Sequence, residues 1–109
     1  MEELVESDGA RARLEELFEP SGKPVLRITG ELDLSNVGSI SAAIDATYGR
    51  DLDHIVFDLS RLRFMDSSGL AMLLSCAERI PTVELREPPP LIRRMIELTG
   101  VSGVFLVTG

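Results

Sequence analysis

Tryptophan is absent from this 109-residue chain, and one tyrosine with four phenylalanines brings the aromatic share to only 5%. So few rings argue against a base-stacking nucleic-acid surface. One cysteine, Cys76, leaves no intrachain disulfide and points to a reducing compartment. With a single histidine as well, and no clustered ligand spacing, neither a metal centre nor a cofactor is expected. No apolar run approaches the roughly 20 residues that span a bilayer. Met1-Glu2-Glu3 lacks the basic start of a secretory signal, so the expected location is the cytoplasm, without membrane insertion. Bases are in deficit too: 11 Lys and Arg against 18 Asp and Glu leave a net charge of −7. That disfavours nucleic acid and anionic lipid as partners and favours a basic protein surface. Gly-x-Ser-x-Gly and Gly-rich phosphate loops are missing, which removes the usual hydrolase elbow and nucleotide cradle.

What the chain does have is an ordinary globular composition, 44% hydrophobic and 27% charged, at a length suited to one domain. Residues 1–12 are acidic and polar and are expected to form a flexible N-terminus, with Ser7-Asp8-Gly9 as a turn or a loose end. Residues 13–109 are expected to form the domain. Arg13 to Phe18 looks helical by propensity alone, but the turn residues Pro20-Ser21-Gly22-Lys23 and the β-rich Val25 to Ile28 that follow favour a hairpin. Val37, Ile40, Ala43, Ile44 and Thr47 recur at helical spacing, and Gly49 supplies a stop. His54-Ile55-Val56-Phe57-Asp58-Leu59 reads as a central strand. A loop from Ser60 to Met65 then leads to a helix ending near Arg79. Thr82 to Arg86 follows as a strand, then a helix led by Pro88-Pro89-Pro90, then a short strand over 104–107. The predicted order is β-β-α-β-α-β-α-β. This is an α/β domain with a mixed, mostly parallel sheet of about five strands and helices packed on it.

Phe64-Met65-Asp66-Ser67-Ser68-Gly69-Leu70 is the stretch that carries chemistry. Leu70, Leu73, Leu74 and Ala77 set out a buried helical face, so Asp66-Ser67-Ser68 falls at the helix start. Unpaired N–H groups and a partial positive charge there suit a phosphate, which makes reversible serine phosphorylation the candidate chemistry. The bland alternative is a serine that only caps the helix. A serine hydrolase would have to use His54. That residue begins a strand whose other end leads to Ser67, so about five strand steps, or roughly 16 Å, separate them. A Ser–His hydrogen bond needs about 3 Å.

Gly30-Glu31-Leu32-Asp33, the Asp66-Ser67-Ser68-Gly69 block and the proline-led helix ending Leu98-Thr99-Gly100 together resemble the bacterial anti-sigma-factor antagonists, single-domain proteins of the STAS class. The resemblance runs from about Arg13 to Val107. It implies a STAS-like fold and a partner switch rather than an enzyme. In that scheme the unphosphorylated antagonist binds an anti-sigma factor that is also a serine kinase, freeing a sigma factor. Phosphorylation of Ser67 ends the binding, and a serine phosphatase resets it; regulation of transcription under stress is the implied setting. The alternative is a constitutive STAS binding subunit of a transporter or scaffold complex, with no phosphoswitch. This chain departs from the family pattern in carrying Ala71 where glycine is common and Ile80-Pro81 in place of a longer Gly-rich loop.

Under the resemblance, Ser67 is the phosphoacceptor, and Asp33, Asp66, Ser68 and Gly69 belong to the partner interface. Each has a structural reading beside the functional one. Asp66 either orients the Ser67 hydroxyl or caps the helix. Asp33 either lines the partner surface or caps the helix starting near Asn36. Ser68 caps the helix or orients Ser67, and Gly69 allows close approach or relieves crowding.

Overall fold

The computed structural model describes residues 2–6, 11–49 and 51–109. Strand β3 (Val25–Leu32) organises the sheet, and its burial alternates as a two-sided strand demands. Leu26, Ile28 and Leu32 point into the core, while Arg27, Thr29 and Glu31 stay half-buried on the other face. On one side β3 pairs antiparallel with β2 (Ala12–Leu17), completing the predicted hairpin. On the other it pairs parallel with β4 (His54–Asp58) over Val25–Arg27, then with β5 (Leu62–Met65) over Gly30–Leu32.

Gly30 sits where β3 changes partners, at φ +98°. A Cβ there would run into the Arg11 carbonyl oxygen, which accepts the Glu31 N–H. Only glycine fits this crossing, which explains the first residue of the Gly30-Glu31-Leu32-Asp33 block.

Strand β6 (Thr82–Arg86) runs parallel to β4, and β7 (Leu106–Thr108) parallel to β6. The sheet is mixed and mostly parallel, as expected. Among the described residues it has seven strands rather than about five, in the order β1-β2-β3-β4-β6-β7 with β5 beside β3. Both additions come from pairing, not from local pattern. Glu2–Glu6 forms β1, antiparallel to β2, where the sequence reading places a flexible end; Glu3 meets Arg13 at 2.9 Å. Its acidic composition has low strand propensity but suits an edge strand, where charge discourages further pairing. β5, read as part of a loop, is four residues long and is defined by its bonds to β3. The predicted turn at Ser7-Asp8-Gly9 lies outside the described residues. The last strand begins at Leu106, because Ser102–Val104 makes a turn of 3-10 helix.

Helices α1 (Val37–Tyr48), α2 (Ser67–Arg79) and α3 (Pro90–Leu98) add Ile40, Ile44, Leu70, Leu73, Ile92 and Ile96 to one core with the strands. The opposite sheet face is largely polar apart from the buried pair Val25 and Val56. Glu15, Arg27, Asp58 and Arg86 are cross-strand neighbours in turn, a row of alternating charge.

Candidate functional site

Parallel register builds the site. Leu32 on β3 is paired with Met65 on β5, so the next residues, Asp33 and Asp66, leave the same sheet edge side by side. That edge is the carboxyl end of parallel strands, where α/β sheets place their sites. The Asp66 N–H donates to the Leu32 carbonyl at 3.1 Å and locks the two strand ends together.

Asp66 is the N-cap of α2. Its Oδ1 accepts the N–H groups of Ser68 at 2.9 Å and Gly69 at 3.1 Å. Its Oδ2 accepts the Leu34 N–H at 3.3 Å. The carboxylate therefore fixes the start of α2 and ties it to the β3–α1 loop, so capping is the role the geometry shows. The expected phosphate cradle is corrected in the same step: the Ser68 and Gly69 N–H groups are already engaged by Asp66. Ser67 is exposed at the first helical position, and no hydrogen bond engages its hydroxyl among the described residues.

Asp33 does not cap α1. Its Oδ1 accepts the Ser35 N–H at 3.0 Å and the Ser35 hydroxyl at 2.6 Å, both ahead of the helix. Its Oδ2 accepts from the Arg11 guanidinium, which also lies 3.8 Å from Glu31. The Ser35 hydroxyl bond, with the Ser35 N–H and Arg11, outweighs desolvation and holds the Asp33 carboxyl below its ordinary value. Buried Asn36 completes the turn, accepting the Asp33 N–H at 3.1 Å and donating to the Glu31 carbonyl at 2.8 Å.

Gly69, expected at the interface, faces inward. A Cβ on it would come inside 3.0 Å of the Met65 side chain and within 3.1 Å of Leu32. Ser68 is half-buried, and the cap it was read as supplying comes from Asp66. What the edge presents is Ser67, Ser35, Arg11 and Leu34, the last 76% exposed. Sequence reading missed three of these. Arg11 stands 22 residues from Asp33 and is brought there by the pairing of Ala12 with Gly30. Ser35 had a legible signal, the Asp-x-Ser spacing of a side-chain-bonded turn. Leu34 had none.

His54 is engaged elsewhere. Its Nε2 lies 3.3 Å from Glu84 Oε1 across β4 and β6, and Glu84 also accepts from the Thr108 hydroxyl at 3.0 Å. Among the described residues no three His, Cys, Asp or Glu side chains could hold a metal ion. No helix among them is long and apolar enough to cross a membrane.

Residues 7–108 match the family described as Mlab, STAS domain. Over 83 residues the chain is 33% identical to the anti-sigma F factor antagonist of Lysinibacillus sphaericus, covering 72% of this chain and 71% of that one. The chain belongs to the STAS family of bacterial anti-sigma-factor antagonists. Among solved structures, the fold of this STAS domain is shared by an anti-sigma factor antagonist from Mycobacterium paratuberculosis. The TM-score is 0.81 at 24% identity, over 95% of this chain and 90% of that one. The antagonist SpoIIAA in its unphosphorylated form matches at TM-score 0.72 and 25% identity, over 88% of each chain, and the phosphorylated form from Bacillus matches too.

Proposed function

We propose that this STAS domain is a phosphorylation-switched antagonist. Unphosphorylated, it binds an anti-sigma factor that is also a serine kinase and so releases a sigma factor in the cytoplasm. Phosphorylation of Ser67 ends that binding, and a serine phosphatase restores it. The domain acts by binding and is the kinase's substrate, not itself a catalyst.

The observation that carries this reading is the exposed Ser67 hydroxyl beside a carboxylate that has already taken the N–H groups of Ser68 and Gly69. A phosphate adds about −1.5 to −2 charge, taking the net charge from −7 to about −8.5 to −9. With those two N–H groups engaged and Asp66 adjacent, the new charge projects from the surface into whatever contacts it. Local charge and bulk then break the interface without refolding, since a clash of about 1.4 kcal/mol already costs tenfold in affinity. The match to SpoIIAA in both its unphosphorylated and phosphorylated forms supports a switch of that kind.

Phosphosite mapping by mass spectrometry on chain isolated from its native host, in growth and under stress, tests the reading. The expected result is a phosphate on Ser67 whose occupancy changes with condition. Ser67→Asp should abolish binding to the partner kinase while stability stays within about 1 kcal/mol, as for an exposed position. No phosphate at Ser67 in any condition, with Ser67→Ala fully functional, would instead identify a constitutive binding subunit.

A further inference from the structure

We propose that Ser35 is a second phosphoacceptor, modified by an ATP-dependent serine kinase docked on the Ser67 edge; the proposal rests on the reading of Ser67 given above. The juxtaposition is set by one hydrogen bond, Leu34 N–H to Asp66 Oδ2 at 3.3 Å. Ser35 is the residue after Leu34, and Ser67 is the residue after Asp66. Two exposed serines thus stand one residue beyond either end of the same contact, on the same sheet edge. An active site that closes over Ser67 meets Ser35.

The local chemistry suits transfer. The Ser35 hydroxyl donates to Asp33 Oδ1 at 2.6 Å, so its proton already has an acceptor and its lone pairs are turned away from the carboxylate. In the transfer, Ser35 Oγ forms a bond to the γ-phosphorus of ATP and the bond to the β,γ-bridging oxygen breaks. ADP leaves, and the hydroxyl proton passes through Asp33 to water. The Arg11 guanidinium, held on the other oxygen of the same carboxylate, is placed to take the new phosphate in a bidentate grip. A phosphate on Ser35 would thus be offset in part by Arg11, which it shares with Asp33 and Glu31.

Ser60 provides an internal comparison. Asp58-Leu59-Ser60 repeats Asp33-Leu34-Ser35: the Ser60 hydroxyl donates to Asp58 Oδ1 at 2.6 Å, and Arg27 lies 3.2 Å from Oδ2. Ser60 is exposed as well, but it precedes β5 while Ser67 follows it, so the strand's four residues separate them by roughly 13 Å. No hydrogen bond among the described residues ties Ser60 to Asp66 or α2. Docking on the Ser67 edge should modify Ser35 and spare Ser60.

The test is phosphopeptide mapping by tandem mass spectrometry on the full chain and on Ser67→Ala, each expressed in the native host and isolated both in growth and under stress. Thermal unfolding confirms that the variant is folded. Phosphate on both Ser67 and Ser35 in the wild-type chain, on Ser35 in Ser67→Ala, and none on Ser60 in either, is the expected result. Phosphate on Ser67 with Ser35 unmodified in both chains overturns the proposal and leaves the Ser67 reading intact. Equal modification of Ser60 and Ser35 overturns the edge argument. No phosphate on either Ser35 or Ser67 overturns both readings.

Discussion

Replacing Gly69 with alanine would put a methyl group between the first turn of α2 and the end of β5. Gly69 is buried, and the methyl would come inside 3.0 Å of the Met65 side chain and 3.1 Å from two Leu32 carbons. Met65 and Leu32 are themselves sealed in the core, 1% and 0% exposed, so neither has free space to move into. Overpacking of this kind costs roughly 1–3 kcal/mol. Alanine in a helix returns up to about 1 kcal/mol over glycine, and less in the first turn. The net expectation is a loss of about 1–2 kcal/mol, or a fall in Tm of several degrees for a domain of this size. Gly38 is the matched control, since it is exposed in the first turn of α1 and a Cβ there meets nothing within 4 Å. Gly38→Ala should raise Tm through helix propensity alone. Urea and thermal unfolding of the two variants in parallel decide the matter. If Gly69→Ala is as stabilising as Gly38→Ala, the inward packing assigned to Gly69 is wrong.

Asp66→Ala removes a helix cap and the link to Leu34, so a loss of about 1–2 kcal/mol in urea is expected, together with faster amide exchange at Leu34; unchanged exchange at Leu34 would contradict the tether. On acidification, Asp58 and Glu84 should cost stability. Burial pushes both carboxyls up, but the bonds from Ser60 and Arg27 to Asp58, and from Thr108, His54 and Arg86 to Glu84, leave them below their ordinary values of 3.8 and 4.5. Their contribution is complete above those values and is lost as pH falls through the lowered ones, so a urea midpoint that rises below about pH 4.5 would refute it. Cys76 should resist alkylation until the chain unfolds, because burial raises its thiol pKa against a smaller pull from Arg79. Stoichiometric labelling of the native protein would show that α2 opens.

Local signals placed α2 and β6 without help from the rest of the chain. Asp66 starts the helix, Ile80-Pro81 stops it, and Thr82–Arg86 resumes as a strand, all within a few residues of one another. The Asp-Ser-Ser-Gly block and its place at a helix start were legible for the same reason, because capping and helical periodicity act over about four residues. The number of strands was not legible. β1 and β5 have no pattern of their own and exist because β2 and β3 offer them partners.

The site divides in the same way. Its residue types are written in the sequence, and so is the exposure of Ser67 at the first helical position. Tertiary structure alone decided that Asp33 and Asp66 emerge side by side, since that follows from Leu32 pairing with Met65. It also decided that Arg11 answers Asp33 and that Asp66 occupies the N–H groups a phosphate could have used. Strand register is settled by burying one face of every strand at once, a constraint that no single segment contains.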